Sequence, residues 1–326
     1  MKYLVDAERF ALRTPFGIAG KTWTAAEVCT VTLEVDGVVG RGEGAPIFYA
    51  GETIESLLAQ LESVRPAVEA GVDRYELLQL LPAGGARCAI DCALWDLASR
   101  RSGTPVHEMV GTGPPVELDS AITVTLGTPD QMATAAAAVS DHPWLKVKLG
   151  GADDAHAIRL VRAAAPGARI TVDPNASWTF EHLVDMMPSL VEAGVELVEQ
   201  PLHPSKDEAL RHLDSPIDVG ADESCRTVDD VAGLVGAYQL GVIKLDKAGG
   251  LTGALELSDA LSAAGLDRMV SCMISTSLGM APARYVGMSC SIVDLDGPMN
   301  LAVDRDPSIP YTRGRMGLTP DTLWAG

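Results

Sequence analysis

The chain has 326 residues, 25 basic against 44 acidic side chains, and a net charge of −19. A field of that sign repels a phosphate backbone and argues against a nucleic-acid partner. The 47% hydrophobic and 21% charged content belongs to a folded chain rather than a disordered one. In chain order, Lys2–Leu12, Glu27–Val35 and Val38–Gly44 read as strands, the last two joined by a turn at Asp36-Gly37. Glu52–Gly71 and Ala86–Ser102 read as helices, the second with Ile90, Leu94, Trp95 and Leu97 on an apolar face. Strands followed by helices predict an α+β unit over 1–116.

From Leu118 the texture changes to short apolar strands, each followed by an amphipathic helix. The strand runs are Ala121–Thr125, Trp144–Leu149, Arg169–Asp173, Val195–Glu199, Asp218–Asp222, Val242–Leu245, Arg268–Cys272 and Ser291–Leu295. The helices between them include Lys206–Leu213 and Val228–Tyr238. Eight such runs predict an α/β fold, a parallel (β/α) barrel over 117–299. No GxGxxG or GxxxxGK[ST] follows the first strand of any unit, which weakens a doubly wound open sheet. The irregular segment 300–326 is expected to return to the first domain. No apolar run approaches the ~20 residues of a membrane span, and Asp6, Glu8 and Arg9 interrupt any secretory leader. Six cysteines without a CxxC predict reduced, mostly buried thiols and a cytoplasmic location.

Chemistry in such barrels lies at the C-terminal strand ends. There the sequence places Lys148, Asp173, Glu199, Asp222 and Lys244, at steps of 25, 26, 23 and 22 residues. Each step is about one strand–helix unit, so the five residues form a ring at one mouth. Three adjacent carboxylates repel one another unless a cation sits among them. An all-oxygen set without His or Cys points to Mg²⁺ on Asp173, Glu199 and Asp222. Lys148 and Lys244 stand four strands apart, on opposite sides of a substrate held there. One amine removes a proton from one face and the other returns it to the opposite face, which inverts the centre. Lys146 shares the strand face of Lys148 and is expected, with the ion, to favour its neutral form. Lys247 competes with Lys244 for the sixth-strand role; its plainer reading is a solvated loop charge. Asp294 and Asp296 share a face of the eighth run, as an ammonium site or as turn caps.

Together these residues resemble the enolase superfamily, muconate-lactonizing subgroup. The matching stretches are Lys146-Val147-Lys148, Val172-Asp173-Pro174-Asn175, Val198-Glu199-Gln200-Pro201, Ala221-Asp222-Glu223-Ser224 and Ile243-Lys244-Leu245-Asp246-Lys247. Asp294-Leu295-Asp296-Gly297 is similar to the ammonium-binding motif of dipeptide epimerases of the L-Ala-D/L-Glu kind. The resemblance implies a modified TIM barrel with an α+β capping domain and one Mg²⁺ per subunit. It implies 1,1-proton transfer by Lys148 and Lys244 at the α-carbon of the C-terminal residue of an L-Ala-Xaa-like dipeptide. It favours Lys244 over Lys247, and gives Lys146, Asn175 and Glu223 supporting roles. Relatives acting on Ala-Glu tend to carry an arginine in the first-domain loop over the barrel. Here that loop, Phe16–Thr24, holds Lys21 and Trp23 instead. Lys21 could replace the arginine as a point charge, whereas Trp23 suits an apolar side chain. The partner expected is a small dipeptide, with a homo-oligomer left open. The alternatives are an o-succinylbenzoate synthase, an N-acylamino-acid racemase, a muconate cycloisomerase, or a barrel that only binds a small acid.

Overall fold

The computed structural model describes residues 1–325. Three antiparallel strands open the chain: β1 (Lys2–Ile18), β2 (Lys21–Val35) and β3 (Val38–Gly44). Alternation along Gly40-Arg41-Gly42-Glu43-Gly44 sorts β3 into two faces. The glycines press on the helix Gly85–Ser102: a Cβ on Gly42 would lie 2.2 Å from the Ala89 carbonyl oxygen, and one on Gly44 1.9 Å from that of Gly85. Only glycine permits this approach. Glu43 points the other way and reaches the second half of the chain.

That half carries β4 (Leu118–Asp119) and then eight parallel strands. They are β5 (Ile122–Val124), β6 (Trp144–Lys148), β7 (Arg169–Asp173), β8 (Val195–Glu199), β9 (Asp218–Ala221), β10 (Leu240–Ile243), β11 (Asp267–Val270) and β12 (Ile292–Val293). They neighbour one another in chain order. The first and last also meet: the Ala121 N–H donates to the Val293 carbonyl at 2.7 Å, and the Leu295 N–H to Ser120 Oγ at 2.8 Å. A cluster of Ala121, Trp144, Leu197, Leu240, Val242, Met269 and Ile292 fills the interior, so the barrel is packed rather than hollow. A hairpin, β13 (Tyr311–Thr312) and β14 (Arg315–Met316), pairs with β4.

Several expectations are corrected. Glu52–Gly71 is two helices, Ile54–Ser63 and Arg65–Ala70, because Pro66 cannot donate to a continuous ladder and opens the second. The run Lys206–Leu213 is a 3₁₀ segment, Pro204–His212, with Leu213 just past its end. Val228–Tyr238 holds only Val228–Asp230 (3₁₀) and one α-turn, Val231–Leu234. Gly236, at φ 81°, turns the chain where a helix would continue. The Phe16–Thr24 loop is the tip of the β1–β2 hairpin: Phe16 pairs with Trp23 and Ile18 with Lys21, beyond an irregularity after Ala11. The eighth strand stops at Val293, so strand alternation does not set the relation of Asp294 to Asp296.

The two halves are bonded across their interface. Arg87 donates to the carbonyls of Ala248 (2.7 Å) and Gly249 (3.2 Å). Asp91 accepts from the Thr252 N–H and hydroxyl at 3.0 and 2.6 Å, capping the helix Leu251–Ala263. Arg305, from the C-terminal segment, binds Glu8 and Glu43, and Glu43 accepts from the Thr276 N–H.

Burial pushes Asp91 up to about 6, against the lowering effect of its Thr252 hydrogen bonds. The unfolded chain therefore releases this proton near pH 4, while the folded chain keeps it until about 6. Stability is lost as pH rises through that window, by about 3 kcal/mol. In Asp91→Asn this loss is removed. The Tm of the variant relative to the parent should therefore climb between pH 4 and 7 in paired calorimetric scans; a constant difference would contradict the argument.

Candidate active site

Lys146 and Lys148 sit on β6, Asp173 ends β7 and Glu199 ends β8. Asp222 follows β9 and Lys244 follows β10. Lys148 and Asp173 are direct partners in the β6–β7 register. All six are buried. Lys148 Nζ donates to Asp173 Oδ2 at 2.5 Å, and Lys244 Nζ to Asp222 Oδ2 at 2.7 Å. The two lysines thus flank the carboxylates from β6 and from β10. Lys146 Nζ lies 2.8 Å from Glu199 and 2.9 Å from Asp294 Oδ2, and 3.4 Å from Asp173.

Two residues to which the sequence assigns no role in the site, Lys247 and Gln200, hold the carboxylates. Lys247 is fully buried, not a solvated loop charge. The turn Leu245–Ala248 folds it beneath the barrel mouth, where Nζ donates to Asp222 Oδ1 (2.6 Å), the Asp222 carbonyl (2.6 Å) and the Val242 carbonyl (2.9 Å). Gln200 Oε1 accepts from the N–H groups of Asp222 and Ser224. Gln200 also stands at φ 33°, as Asn175 does at 47°, a left-handed backbone that non-glycine residues adopt at a cost. Asn175 in turn donates its N–H to Asp173 Oδ1 at 2.8 Å. The signals for both were present: a second lysine three residues after Lys244, and a glutamine between Glu199 and a proline.

The electrostatics show a shortage of positive charge. Burial would raise Asp173, but Lys148 and then Lys146 hold it below the usual carboxylate range. Burial would raise Asp222 also, but Lys244 and Lys247 hold it far below that range. Glu199 has no such surplus: burial, then repulsion from Asp173, pushes it up to about 7. Burial and Asp222 push Glu223 up to about 8. Burial would lower Lys244, but Asp222 outweighs it and raises the ammonium above the ordinary lysine range. Lys146 Nζ lies 2.8 Å from both carboxylate oxygens of Glu199, whereas Oε2 of Glu223 lacks a hydrogen-bond partner.

Six carboxylates (Asp173, Glu199, Asp222, Glu223, Asp294 and Asp296) thus meet four ammonium groups (Lys146, Lys148, Lys244 and Lys247). The carboxylates outnumber the ammonium groups, and the upward push on Glu199 and Glu223 is one that a divalent cation among them would relieve. The hard, all-oxygen donor set of Asp173, Glu199 and Asp222 fits Mg²⁺. Among the described residues no three His, Cys, Asp or Glu side chains form an ion cage as they stand; Asp173, Glu199 and Asp222 are each paired with a lysine instead.

Part of this cluster faces a cavity of about 280 Å³ between the two halves; Asp173, Glu199 and Lys247 are not among its lining residues. Lys146, Lys148, Asn175, Asp222, Glu223, Lys244, Asp294 and Asp296 line it from the barrel. Asp294 Oδ2 accepts from Lys146 and from Ser271 Oγ (2.7 Å), while Asp294 Oδ1 has no partner. Asp296 Oδ2 accepts from the Thr123 N–H at 2.8 Å, and burial, with Asp294 next, pushes its carboxyl up to about 6. From the other side come Phe16, Ile18, Lys21, Trp23, Phe48 and Tyr49. Lys21 Nζ lies 4.3 Å from the Phe48 ring centroid and 4.8 Å from that of Trp23, and it forms no ion pair among the described residues.

Comparison with known proteins agrees with this architecture. Residues 2–111 match the mandelate racemase/muconate lactonizing enzyme N-terminal domain, and residues 131–300 match the enolase C-terminal domain-like family. The chain is 42% identical to an L-Ala-D/L-Glu epimerase of Escherichia coli (strain K12), over 96% of this chain and 98% of that one. It is 41% identical, at TM-score 0.97 and 99% of both chains, to an Agrobacterium tumefaciens enolase family member with homology to dipeptide epimerases, solved with sodium and L-Ala-L-Glu. It is 27% identical, at TM-score 0.90 over 97% and 96% of the chains, to an Enterococcus faecalis V583 dipeptide epimerase complexed with Mg and L-Leu-L-Tyr. A capping sheet over a parallel barrel, with lysines and carboxylates at its strand ends, thus meets full-length similarity in both halves, and the chain belongs to the mandelate racemase/muconate-lactonizing family of the enolase superfamily.

Proposed function

We propose that the protein is a Mg²⁺-dependent dipeptide epimerase, an isomerase that inverts the α-carbon of the C-terminal residue of an L-Ala-Xaa dipeptide. The observation that carries this reading is the placement of Lys148 and Lys244 on either side of three carboxylates, with both lysines lining one cavity together with Asp294 and Asp296. Asp173, Glu199 and Asp222 would hold the ion, which supplies positive charge to the substrate carboxylate as the enolate develops. Lys148, as the free amine, takes the α-proton from one face. The electron pair left behind is delocalised into the carboxylate. Lys244, as the ammonium, returns a proton to the other face, and the reverse direction exchanges their roles. Asp294 and Asp296 pair with the dipeptide ammonium. The six free cysteines support a reducing, cytoplasmic setting for this enzyme.

The C-terminal side chain extends toward Trp23, Phe48 and Lys21. Lys21 is the cation at that end without an anionic partner, which favours an acidic side chain such as glutamate. The aromatic walls favour its aliphatic stem, and support a large apolar residue as the second reading. Incubation with Mg²⁺ and an L-Ala-Xaa library in D₂O tests both, because α-deuteration marks each substrate taken. The acidic reading expects L-Ala-L-Glu among the fastest. Lys21→Met should then lower its kcat/KM about tenfold, the value of one partly exposed charge-assisted contact, and leave L-Ala-L-Leu unaffected. Faster exchange of the leucine or phenylalanine dipeptide in the parent enzyme selects the apolar reading. No exchange of any dipeptide, with N-acetyl-amino acids exchanging instead, rejects the dipeptide assignment.

A further inference from the structure

We propose that Ser271 is a positioning residue for recognition of the substrate's amino end, reserving Asp294 Oδ1 for the ammonium. This rests on the dipeptide reading above and names the device behind it. Ser271 immediately follows β11, is buried, and does not itself line the cavity. Its Oγ donates to Asp294 Oδ2 at 2.7 Å.

The other donor to that oxygen is Lys146, whose ammonium is divided. It binds Glu199 at 2.8 Å, Asp294 at 2.9 Å, and lies 3.4 Å from Asp173. A cation pulled by three carboxylates does not by itself fix the rotation of one of them. The Ser271 hydroxyl serves Asp294 alone. With Oδ2 anchored from β6 and from β11, the carboxylate plane is set, and Oδ1 is left buried and without a partner on a residue that lines the cavity. A buried acceptor that no protein group satisfies costs free energy in the free enzyme, and a ligand N–H removes that cost on binding. Asp296 is built the same way, with its Oδ2 on the Thr123 N–H at 2.8 Å. Each aspartate is therefore held by a neighbouring strand through Oδ2. The geometry points to a primary ammonium, delivered to Oδ1 of Asp294 beside Asp296.

The test compares two ligands that differ only in that ammonium: the L-Ala-L-Xaa dipeptide that exchanges fastest, and its N-propionyl-L-Xaa analogue. In Ser271→Ala, KM for the dipeptide should rise about tenfold, with kcat within twofold. The inhibition constant of the N-propionyl compound should not change. Ser271→Cys keeps the volume, weakens the donor, and should fall between. An unchanged KM in Ser271→Ala, or equal weakening of both ligands, overturns the role of Ser271. A parent enzyme that binds the two ligands equally overturns the ammonium reading itself.

Discussion

Lys148→Ala and Lys244→Ala should each lose epimerisation by on the order of 10³-fold, yet each should still exchange the α-proton of one stereoisomer with D₂O. The expectation follows from the sheet order. Lys148 is on β6 and pairs with Asp173 of the adjacent β7, whereas Lys244 follows β10 and pairs with Asp222 after the adjacent β9. The carboxylates lie between the lysines, so a substrate centred on them meets one amine from each flank. Losing one amine removes proton delivery to one face and leaves the other face in working order. The measurement is mass gain at the α-carbon for the separate L,L and L,D dipeptides. The two variants should show opposite preferences. If each variant exchanged both stereoisomers at the parent rate, the lysines would not be the paired acid and base.

Lys247→Met should destabilise the protein by about 3–5 kcal/mol, the usual result of leaving a buried charge without its partner. Lys247 contributes three hydrogen bonds at the base of Asp222, two of them to backbone carbonyls. Methionine keeps the packing volume and supplies no donor. Lys244 still binds Asp222 Oδ2, so the carboxylate is not left wholly alone, but Oδ1 and the two carbonyls lose their partner. Calorimetry should show a clear fall in Tm. Added Mg²⁺ should recover part of it, since a divalent cation bound by Asp222 restores the missing charge. A variant with unchanged Tm would mean that water replaces the ammonium there.

Those two expectations also mark what could be read in the sequence. The ring of strand-end residues was legible because a parallel barrel repeats one unit: equal spacing becomes equal height, and burial of each strand fixes its last side chain. The eight-stranded order follows from the same repetition. Lys247 escaped because its position depends on a single turn, Leu245–Ala248, that carries a charge back under the strand end. Gln200 and Ser271 escaped for a related reason: each acts through a neighbouring strand, and single-chain periodicity carries no information about which polar groups face one another across strands. The hairpin tip at Ala19-Gly20 reads as a loop in the sequence because the pairing of β1 with β2 slips past Ala11 before resuming. The short 3₁₀ connections after β8 and β9 have apolar residues at helix-like spacing but too few backbone bonds to propagate a helix.

One motif has consequences for redesign. Within Lys244-Leu245-Asp246-Lys247, the Asp246 carboxylate accepts the Ala45 N–H at 2.7 Å from the end of β3, and burial pushes it up to about 7. Arg87 and Asp91 fasten the following turn and helix to Gly85–Ser102. The lid and the reaction chamber are therefore stitched together at the strand that bears one of the paired amines. Transplanting an entire lid from a relative must bring a compatible 246–252 segment with it, or the graft will shift the amine it was meant to leave alone. Altering only the Ala19–Trp23 fingertip avoids that seam and offers the cleaner route to new side-chain preference.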